Sequence, residues 1–190
     1  MDENRKTLQQ WVDESSNIVF FGGAGMSTES GVPDFRSKDG LYNQCYDEPP
    51  ETIISHSYFV SYPDKFYRFY RDKMMPLSAE PNVGHLKLAE LEAAGAVLTQ
   101  NIDGLHQKAG SKEVLELHGS IYRNYCMKCG KFWPAQEIAD SKGIPWCDCG
   151  GMIKPDVVLY EEALDNDVMR RAIEHIRKAD MMIVAGSSLV

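Results

Sequence analysis

Four of the five cysteines in this chain have the spacing of a metal site. Cys126 and Cys129 are separated by two residues, and 17 residues later Cys147 and Cys149 follow with one residue between them. Four thiolates in two close pairs are typical of a closed, structural zinc site. The sequence therefore predicts a structural zinc ion bound by these four residues, and a reduced, free thiol at Cys45.

A glycine-rich turn is the second feature that could form a ligand-binding site. Residues 22–28 read Gly-Gly-Ala-Gly-Met-Ser-Thr and follow the apolar run 18–21. Such a turn between a strand and a helix can hold a diphosphate on backbone N–H groups. The dinucleotide pattern G-x-G-x-x-G is incomplete, because Thr28 stands in place of the third glycine. The turn alone leaves two interpretations open, a diphosphate cradle and a purely structural turn.

Four apolar runs are expected to position these groups as strands of one sheet. They cover 18–21, 96–99, 114–117 and 181–185. Each is followed by polar or glycine residues, at 22–28, 100–104, 118–120 and 186–188. Continuous apolar runs are typical of buried parallel strands, whose carboxyl ends form ligand sites. The four strand ends are therefore expected to converge on one site. A further strand is predicted at 157–160.

Helices are predicted between these runs. The chain favours helices at 5–15 and at 83–94, the second capped by Asn82 with Val83, Leu86 and Leu91 facing inward. Another helix is expected after a cap at Asp165 or Asn166. The aromatic residues of 57–75 are interpreted as core packing, with a break at Pro63. The polar stretch 27–50 is long for a connection and suggests a functional loop.

Length, net charge and the distribution of apolar residues exclude several classes of protein. The chain has 190 residues, 28 acidic and 20 basic side chains, and a formal net charge of −8. One domain over 1–190 is expected at this length. The acidic balance disfavours nucleic acid and anionic membranes as main partners. No apolar run approaches the roughly 18 residues of a membrane span, and the polar start shows no secretory signal, so a cytoplasmic protein is expected.

The motifs, taken in order, resemble those of the sirtuins, a family of NAD-dependent protein deacylases. The matching segments are 23–37, 99–106, 116–119, the paired cysteines, 154–160 and 186–189. The resemblance covers essentially the whole chain and is to the bacterial type. It implies a Rossmann-like parallel sheet with helices on both faces, a helical insert at about 38–80 and a zinc module at about 122–151. Because the family continues beyond Leu189, the chain is expected to be incomplete at its C-terminus.

The resemblance implies an NAD site built from several segments. Arg36, which is always charged, suits a phosphate, and Phe35 would cover the cofactor. Asp103 would hold the carboxamide of nicotinamide, although 101–104 also fits a turn or a helix cap. The implied cofactor-binding residues are Gly23, Ala24, Gly25, Thr28, Phe35, Arg36, Gln100, Asn101, Ile102, Asp103, Gly186, Ser187 and Ser188.

The implied reaction is removal of an acetyl group from lysine, with transfer of that group to ADP-ribose and release of nicotinamide. His118 would be the general base, and Asn101 would also be catalytic. Val158 and Tyr160 would line the acyl-lysine tunnel beside a bound peptide strand, although either could instead be sheet core. Glu161 stands where the family usually has glycine.

The acyl group is expected to be acetyl or another neutral group. Sirtuins that remove acidic acyl groups carry Tyr-x-x-Arg in the insert, whereas this chain has Tyr67-Arg68-Phe69-Tyr70. Three alternatives remain: an inactive fragment, a module that binds acyl-lysine or NAD without turnover, and a mono-ADP-ribosyltransferase or NAD hydrolase. The set of Asn101, Asp103 and His118 favours deacetylation over the binding module and over the transferase or hydrolase.

Overall fold

The structure, a computed structural model, describes residues 2–37, 40–44, 46, 48–91 and 95–189. The predicted free thiol at Cys45 lies outside these residues. The strands are β1 (Ile18–Gly22), β2 (Ala96–Thr99), β3 (Val114–Glu116), β4 (Gly119–Cys126), β5 (Phe132–Pro134), β6 (Ile153–Val157) and β7 (Met181–Ala185). The α-helices are α1 (Glu3–Glu14), α2 (Pro50–Ile53), α3 (His56–Ser61), α4 (Pro63–Phe69), α5 (Val83–Leu91), α6 (Leu105–Ala109), α7 (Ala135–Asp140) and α8 (Asn166–Lys178).

The four apolar runs form one parallel sheet, as the sequence predicts. Its strand order is β3-β2-β1-β7, and Phe20 of β1 lies opposite Val97 of β2 and Ile183 of β7. Val19 and Leu98 are fully buried, as expected for strands covered on both faces. β7 lies at one edge of the sheet, where Val184 remains 41% exposed.

A second sheet, of order β5-β4-β6, is antiparallel and was not predicted from the sequence. The predicted strand at 157–160 is wrong, because β6 runs from Ile153 to Val157 and the chain then leaves the ladder. The amide of Leu159 donates instead to the Glu162 carboxylate (2.9 Å). Pro155, which has no N–H to donate, is accommodated where the β4–β6 register shifts.

Two predicted helix caps are confirmed. The Asn82 Oδ1 accepts from the Gly84 amide at 2.9 Å, and the Asp165 carboxylate accepts from the amides of residues 167 and 168. The inward orientation predicted for α5 is wrong, since Val83 and Leu86 are 68% and 46% exposed. The helix turns His85 inward instead, and His85 packs against another buried histidine.

The larger of the two apolar clusters joins the helical insert, defined here as α2–α4 and the π-helical turn Tyr70–Met74, to the antiparallel sheet. Phe59, Phe66 and Tyr70 are fully buried in it, which confirms the core interpretation, but Tyr62 is 52% exposed. The predicted break at Pro63 is confirmed, because α3 ends at Ser61 and Pro63 begins α4, where its missing N–H costs nothing. A smaller cluster packs α8 on the parallel sheet. Among the described helices, none is long and apolar enough to cross a membrane.

Candidate functional site

The carboxyl ends of the parallel strands open into a cavity of about 730 Å³. Its volume lies within the roughly 300–1,000 Å³ that is usual for small-molecule sites. Most of the residues predicted from the sequence line it: Ala24, Gly25, Phe35, Arg36, Gln100, Asn101, Ile102, Asp103, His118, Val158, Tyr160, Gly186, Ser187 and Ser188. Gly23 and Thr28 do not line this cavity.

The glycine-rich turn packs backbone to backbone against the end of β7. The Gly25 amide donates to the Gly186 carbonyl at 2.9 Å, and Gly186 has a φ of +65°. A Cβ on Gly186 would lie 2.3 Å from the Met26 nitrogen, so only glycine fits there. The turn opens into the short 3-10 helix Ala24–Met26 rather than an α-helix, and Thr28 closes it by donating to the Gly25 carbonyl.

A chain of buried polar side chains lines the floor of the cavity. Ser27 Oγ donates to Asp103 Oδ2 at 2.6 Å and lies 3.1 Å from Asn101 Nδ2. Asp103 Oδ1 accepts from the Leu105 amide and so also caps α6, which means that the structural interpretation of 101–104 is correct whether or not a ligand binds. Ser27 was not predicted as a site residue. Its only signal is its place in the glycine motif.

His118 lies at the seam between the two sheets. Only two residues separate β3 from β4, and the His118 carbonyl accepts from the Val158 amide at 3.0 Å. Gly119 permits this close join, because it has a φ of +76° and a Cβ there would lie 1.9 Å from the Asp156 carbonyl. Burial lowers the pKa of His118, while a hydrogen bond with the Gln100 backbone raises it, and the balance is a lowered pKa.

An ion pair closes the same seam. Arg123 of β4 contacts the Glu116 carboxylate of β3 at 2.6 Å and the Asp156 carboxylate of β6 at 2.7 Å. Burial lowers the pKa of Arg123, but these two charge-assisted hydrogen bonds raise it, and the balance is a raised pKa. The two strands on either side of His118 are thereby tied to one guanidinium.

The segment after β6 forms one wall of the cavity and is fixed to the helical insert. The Tyr160 amide donates to the Ile54 carbonyl, and the Tyr160 carbonyl accepts from the His56 amide. Glu161 has a φ of +75°, a conformation that costs a residue other than glycine about 1–3 kcal/mol. Its carboxylate accepts from the amide and the hydroxyl of Ser57, at 2.9 and 3.0 Å, which holds that conformation.

The helical insert has tyrosine, Tyr70, where the motif of acidic-acyl sirtuins has arginine. Tyr67 and Tyr70 are both fully buried, and the Tyr67 hydroxyl donates to the Ile153 carbonyl. Lys73 does line the cavity, but its ammonium lies 3.1 Å from the Asp72 carboxylate. Lys73, Met74 and Tyr42 were missed by the sequence analysis, because they lie outside the sirtuin motifs and no spacing marks them.

The four cysteines come together as the spacing predicts. Their sulfur atoms lie within 4.8 Å of one another, with Cys126 and Cys149 at 3.4 Å and Cys129 and Cys147 at 3.7 Å. A tetrahedral zinc ion with bonds of about 2.3 Å would separate its sulfur ligands by about 3.8 Å. The donor set and its dimensions therefore fit a structural zinc ion.

A family model and individual relatives of known name both match this chain and indicate the same family. Residues 23–190 match the family model described as "Sir2 family". A Clostridium perfringens protein named NAD-dependent protein deacetylase is 54% identical, over all of this chain and 80% of its own length. A Listeria innocua protein of the same name is 45% identical over 95% of this chain and 78% of its own length.

Solved structures agree. A structure titled "Sir2-p53 peptide-NAD+" has a TM-score of 0.86 and 41% identity, and the match covers all of this chain and 78% of that one. A second, titled "The Structural basis of Sirtuin Substrate Affinity", has a TM-score of 0.88 at 41% identity, over all of this chain and 79% of that one. Together with the cavity and its motifs, these matches show that the chain belongs to the Sir2 family.

Proposed function

We propose that this protein is an NAD-dependent protein-lysine deacetylase. One observation carries the proposal: a single cavity brings together His118, the segment Asn101–Asp103 and the wall that contains Val158 and Tyr160. These are a candidate base, candidate cofactor ligands and a candidate acyl-lysine surface. The relatives named NAD-dependent protein deacetylase support the same reaction.

The floor and the rim of the cavity fit NAD. The close packing of Gly25 on Gly186 leaves backbone at the cavity surface, which suits a diphosphate. Arg36 adds a permanent positive charge at the rim, and the Asp103 carboxylate suits an amide or hydroxyl donor. When bound, NAD supplies an ADP-ribose group that accepts the acetyl group as nicotinamide is released.

His118 is suited to accept a proton. Its pKa is lowered by burial, so the imidazole is neutral at pH 7 and a ring nitrogen is free to take a proton from a ribose hydroxyl. Its backbone is held by Val158, and the adjacent strands are held by Arg123. Asn101 Nδ2 donates to the same Ser27 hydroxyl that bonds Asp103, and so provides an amide in the same cavity.

We propose that the second substrate is a peptide segment carrying acetyl-lysine, or lysine with another neutral acyl group. Val158 and Tyr160 give this wall an apolar side chain and a phenol, beside Glu161 and Glu162, which also line the cavity. Tyr70, which stands where acidic-acyl sirtuins carry arginine, is fully buried and offers no positive charge to an acidic acyl group. A relative's structure titled "Structure of Sir2Tm bound to a propionylated peptide", with 40% identity, supports this range.

The zinc ion in this proposal is structural. The four thiolates leave no ligand position for a substrate, so the ion would hold the antiparallel sheet together without taking part in the reaction. Four cysteines kept as metal ligands suit a reducing compartment, and the cytoplasm remains the predicted location.

The test follows nicotinamide and acetyl-ADP-ribose formation from NAD and an acetyl-lysine peptide. We expect both products in equal amounts, and loss of both in His118→Ala. His175→Ala, on the half-exposed face of α8, is the matched control and should retain activity. Because burial lowers the pKa of His118, activity should fall only below pH 6.5, the ordinary histidine pKa.

Other outcomes would contradict the proposal. Nicotinamide release without acetyl-ADP-ribose would indicate hydrolysis or transfer to another acceptor. Equal activity in wild type and His118→Ala would remove the histidine from its proposed role.

A further inference from the structure

The loop that carries Phe35 and Arg36 is joined to the acyl-lysine wall by two tyrosines. The hydroxyl oxygens of Tyr42 and Tyr160 lie 2.7 Å apart. Tyr42 follows the predicted cofactor-covering segment, and Tyr160 belongs to the predicted acyl-lysine surface. Both side chains line the cavity, so the contact lies between the proposed sites of the two substrates.

The Tyr160 side of this contact is fixed. Its amide and carbonyl are bonded to Ile54 and His56, and the next residue, Glu161, is tied to Ser57 by two hydrogen bonds. Glu162 contacts both His56 and Lys154, at 2.8 and 3.0 Å. The Tyr160 hydroxyl is therefore presented from a segment that both the helical insert and β6 hold in place.

The Tyr42 side is coupled to Phe35. The two rings are 5.4 Å apart, and the Tyr42 amide donates to the Phe35 carbonyl at 2.8 Å. The neighbouring amide of Leu41 donates to the Asp34 carbonyl at the same distance. Any restraint on the Tyr42 hydroxyl is therefore transmitted to the ring of Phe35.

We propose that the Tyr42–Tyr160 hydroxyl pair is a positioning contact that holds the cofactor-covering loop against the acyl-lysine wall and so strengthens binding of NAD. The inference rests on the proposed function. It assigns a role to the hydroxyl of Tyr160 that a phenylalanine at this position could not fill. Neither tyrosine takes part in bond making. Each acts through the position of Phe35.

The experiment is a double-mutant cycle on NAD binding, measured by calorimetric titration without peptide. We expect Tyr42→Phe and Tyr160→Phe each to raise the Kd for NAD by about two- to tenfold, the usual range for one hydrogen bond. The double variant should raise it no further than either single variant, because both changes remove the same contact.

A matched control comes from the same loop. Tyr46→Phe removes a hydroxyl that donates to Gln44 at 2.9 Å and does not reach the wall. Its effect on the Kd should be the same factor whether residue 160 is tyrosine or phenylalanine. Thermal unfolding of each variant separates a general loss of stability from a change in NAD binding, since only the contact itself predicts non-additive Kd values.

Two results would overturn the inference and leave the proposed function intact: effects of Tyr42→Phe and Tyr160→Phe that multiply in the double variant, or no effect of either on a wild-type Kd that is measurable. A wild-type protein that does not bind NAD would overturn both the inference and the proposed function.

Discussion

The core shared by the helical insert and the antiparallel sheet is aromatic, whereas the packing beneath the cavity is polar. In the first region Phe59, Phe66 and Tyr67 pack edge to face within 6.0 Å of one another. In the second, Ser27, Asn101 and Asp103 are buried and bonded to one another. Apolar burial stabilises directly, while buried polar groups are retained only where they are satisfied or useful. The difference indicates that stability and chemistry are concentrated in different parts of this chain.

Zinc removal should give the largest effect, and it should fall on the aromatic region. Cys126 and Cys147 are part of its apolar cluster, so losing the ion would leave thiols without ligand bonds inside packed structure. Structural zinc ions stabilise small modules by on the order of 10 kcal/mol. We expect Cys126→Ser, or a strong chelator, to release one zinc ion per chain and to abolish cooperative unfolding.

Zinc content by atomic absorption and thermal unfolding by circular dichroism measure these effects. Cys45→Ser is the control and should keep both values at the wild-type level. A protein purified without zinc that unfolds as cooperatively as the loaded one would contradict the assignment.

A matched isoleucine pair measures how much stability the aromatic region contributes, relative to a half-exposed site elsewhere. Ile138 in α7 is 1% exposed within the aromatic cluster, while Ile173 in α8 is 43% exposed beside the parallel sheet. Both changes to alanine occur inside helices, so helix propensity cancels. We expect Ile138→Ala to lower the free energy of unfolding by about 2–5 kcal/mol and Ile173→Ala by under about 1 kcal/mol. Urea denaturation measures both, and equal losses would show that the stability is shared evenly.

Buried histidines next to the polar region should make the free energy of unfolding depend on pH. His85 and His106 are buried with ring centroids 4.7 Å apart, and neither ring nitrogen of His106 has a hydrogen-bond partner among the described residues. Burial, and then the nearby His85, lower the pKa of His106 to about 4. In the unfolded chain, His106 therefore becomes protonated below pH 6.5, whereas in the folded chain it stays neutral down to about pH 4. This contribution is full above pH 6.5 and is lost as the pH falls, by up to about 3 kcal/mol.

Urea denaturation between pH 7 and pH 4 tests this expectation. His106→Leu should flatten the dependence of the unfolding free energy on pH in that window, whatever it does to the value at pH 7. An unchanged slope in His106→Leu would assign the acid sensitivity to other groups.

The sequence predicts the parallel sheet and its strand ends well, because buried parallel strands have continuous apolar runs such as 96–99. The caps at Asn82 and Asp165 are also readable, since capping depends on local residues. The antiparallel sheet was missed because β5 and β6 are short and β6 contains Pro155, so their register depends on contacts with β4 rather than on local pattern. The exposed Val83 and the cavity-lining Lys73 depend on tertiary packing in the same way.

The join at Gly119 bears on which insertions the chain could tolerate. Only Leu117 and His118 lie between β3 and β4, and a Cβ on Gly119 would lie 1.9 Å from the Asp156 carbonyl oxygen. An added residue there would shift the histidine relative to the floor of the cavity. At Gly130 and Gly143, by contrast, a Cβ would meet no atom of the described part of the chain within 4 Å. Lengthening the chain at these two turns would leave His118 where it is. Loop length should therefore vary among relatives at Gly130 and Gly143, and stay constant at the join between β3 and β4.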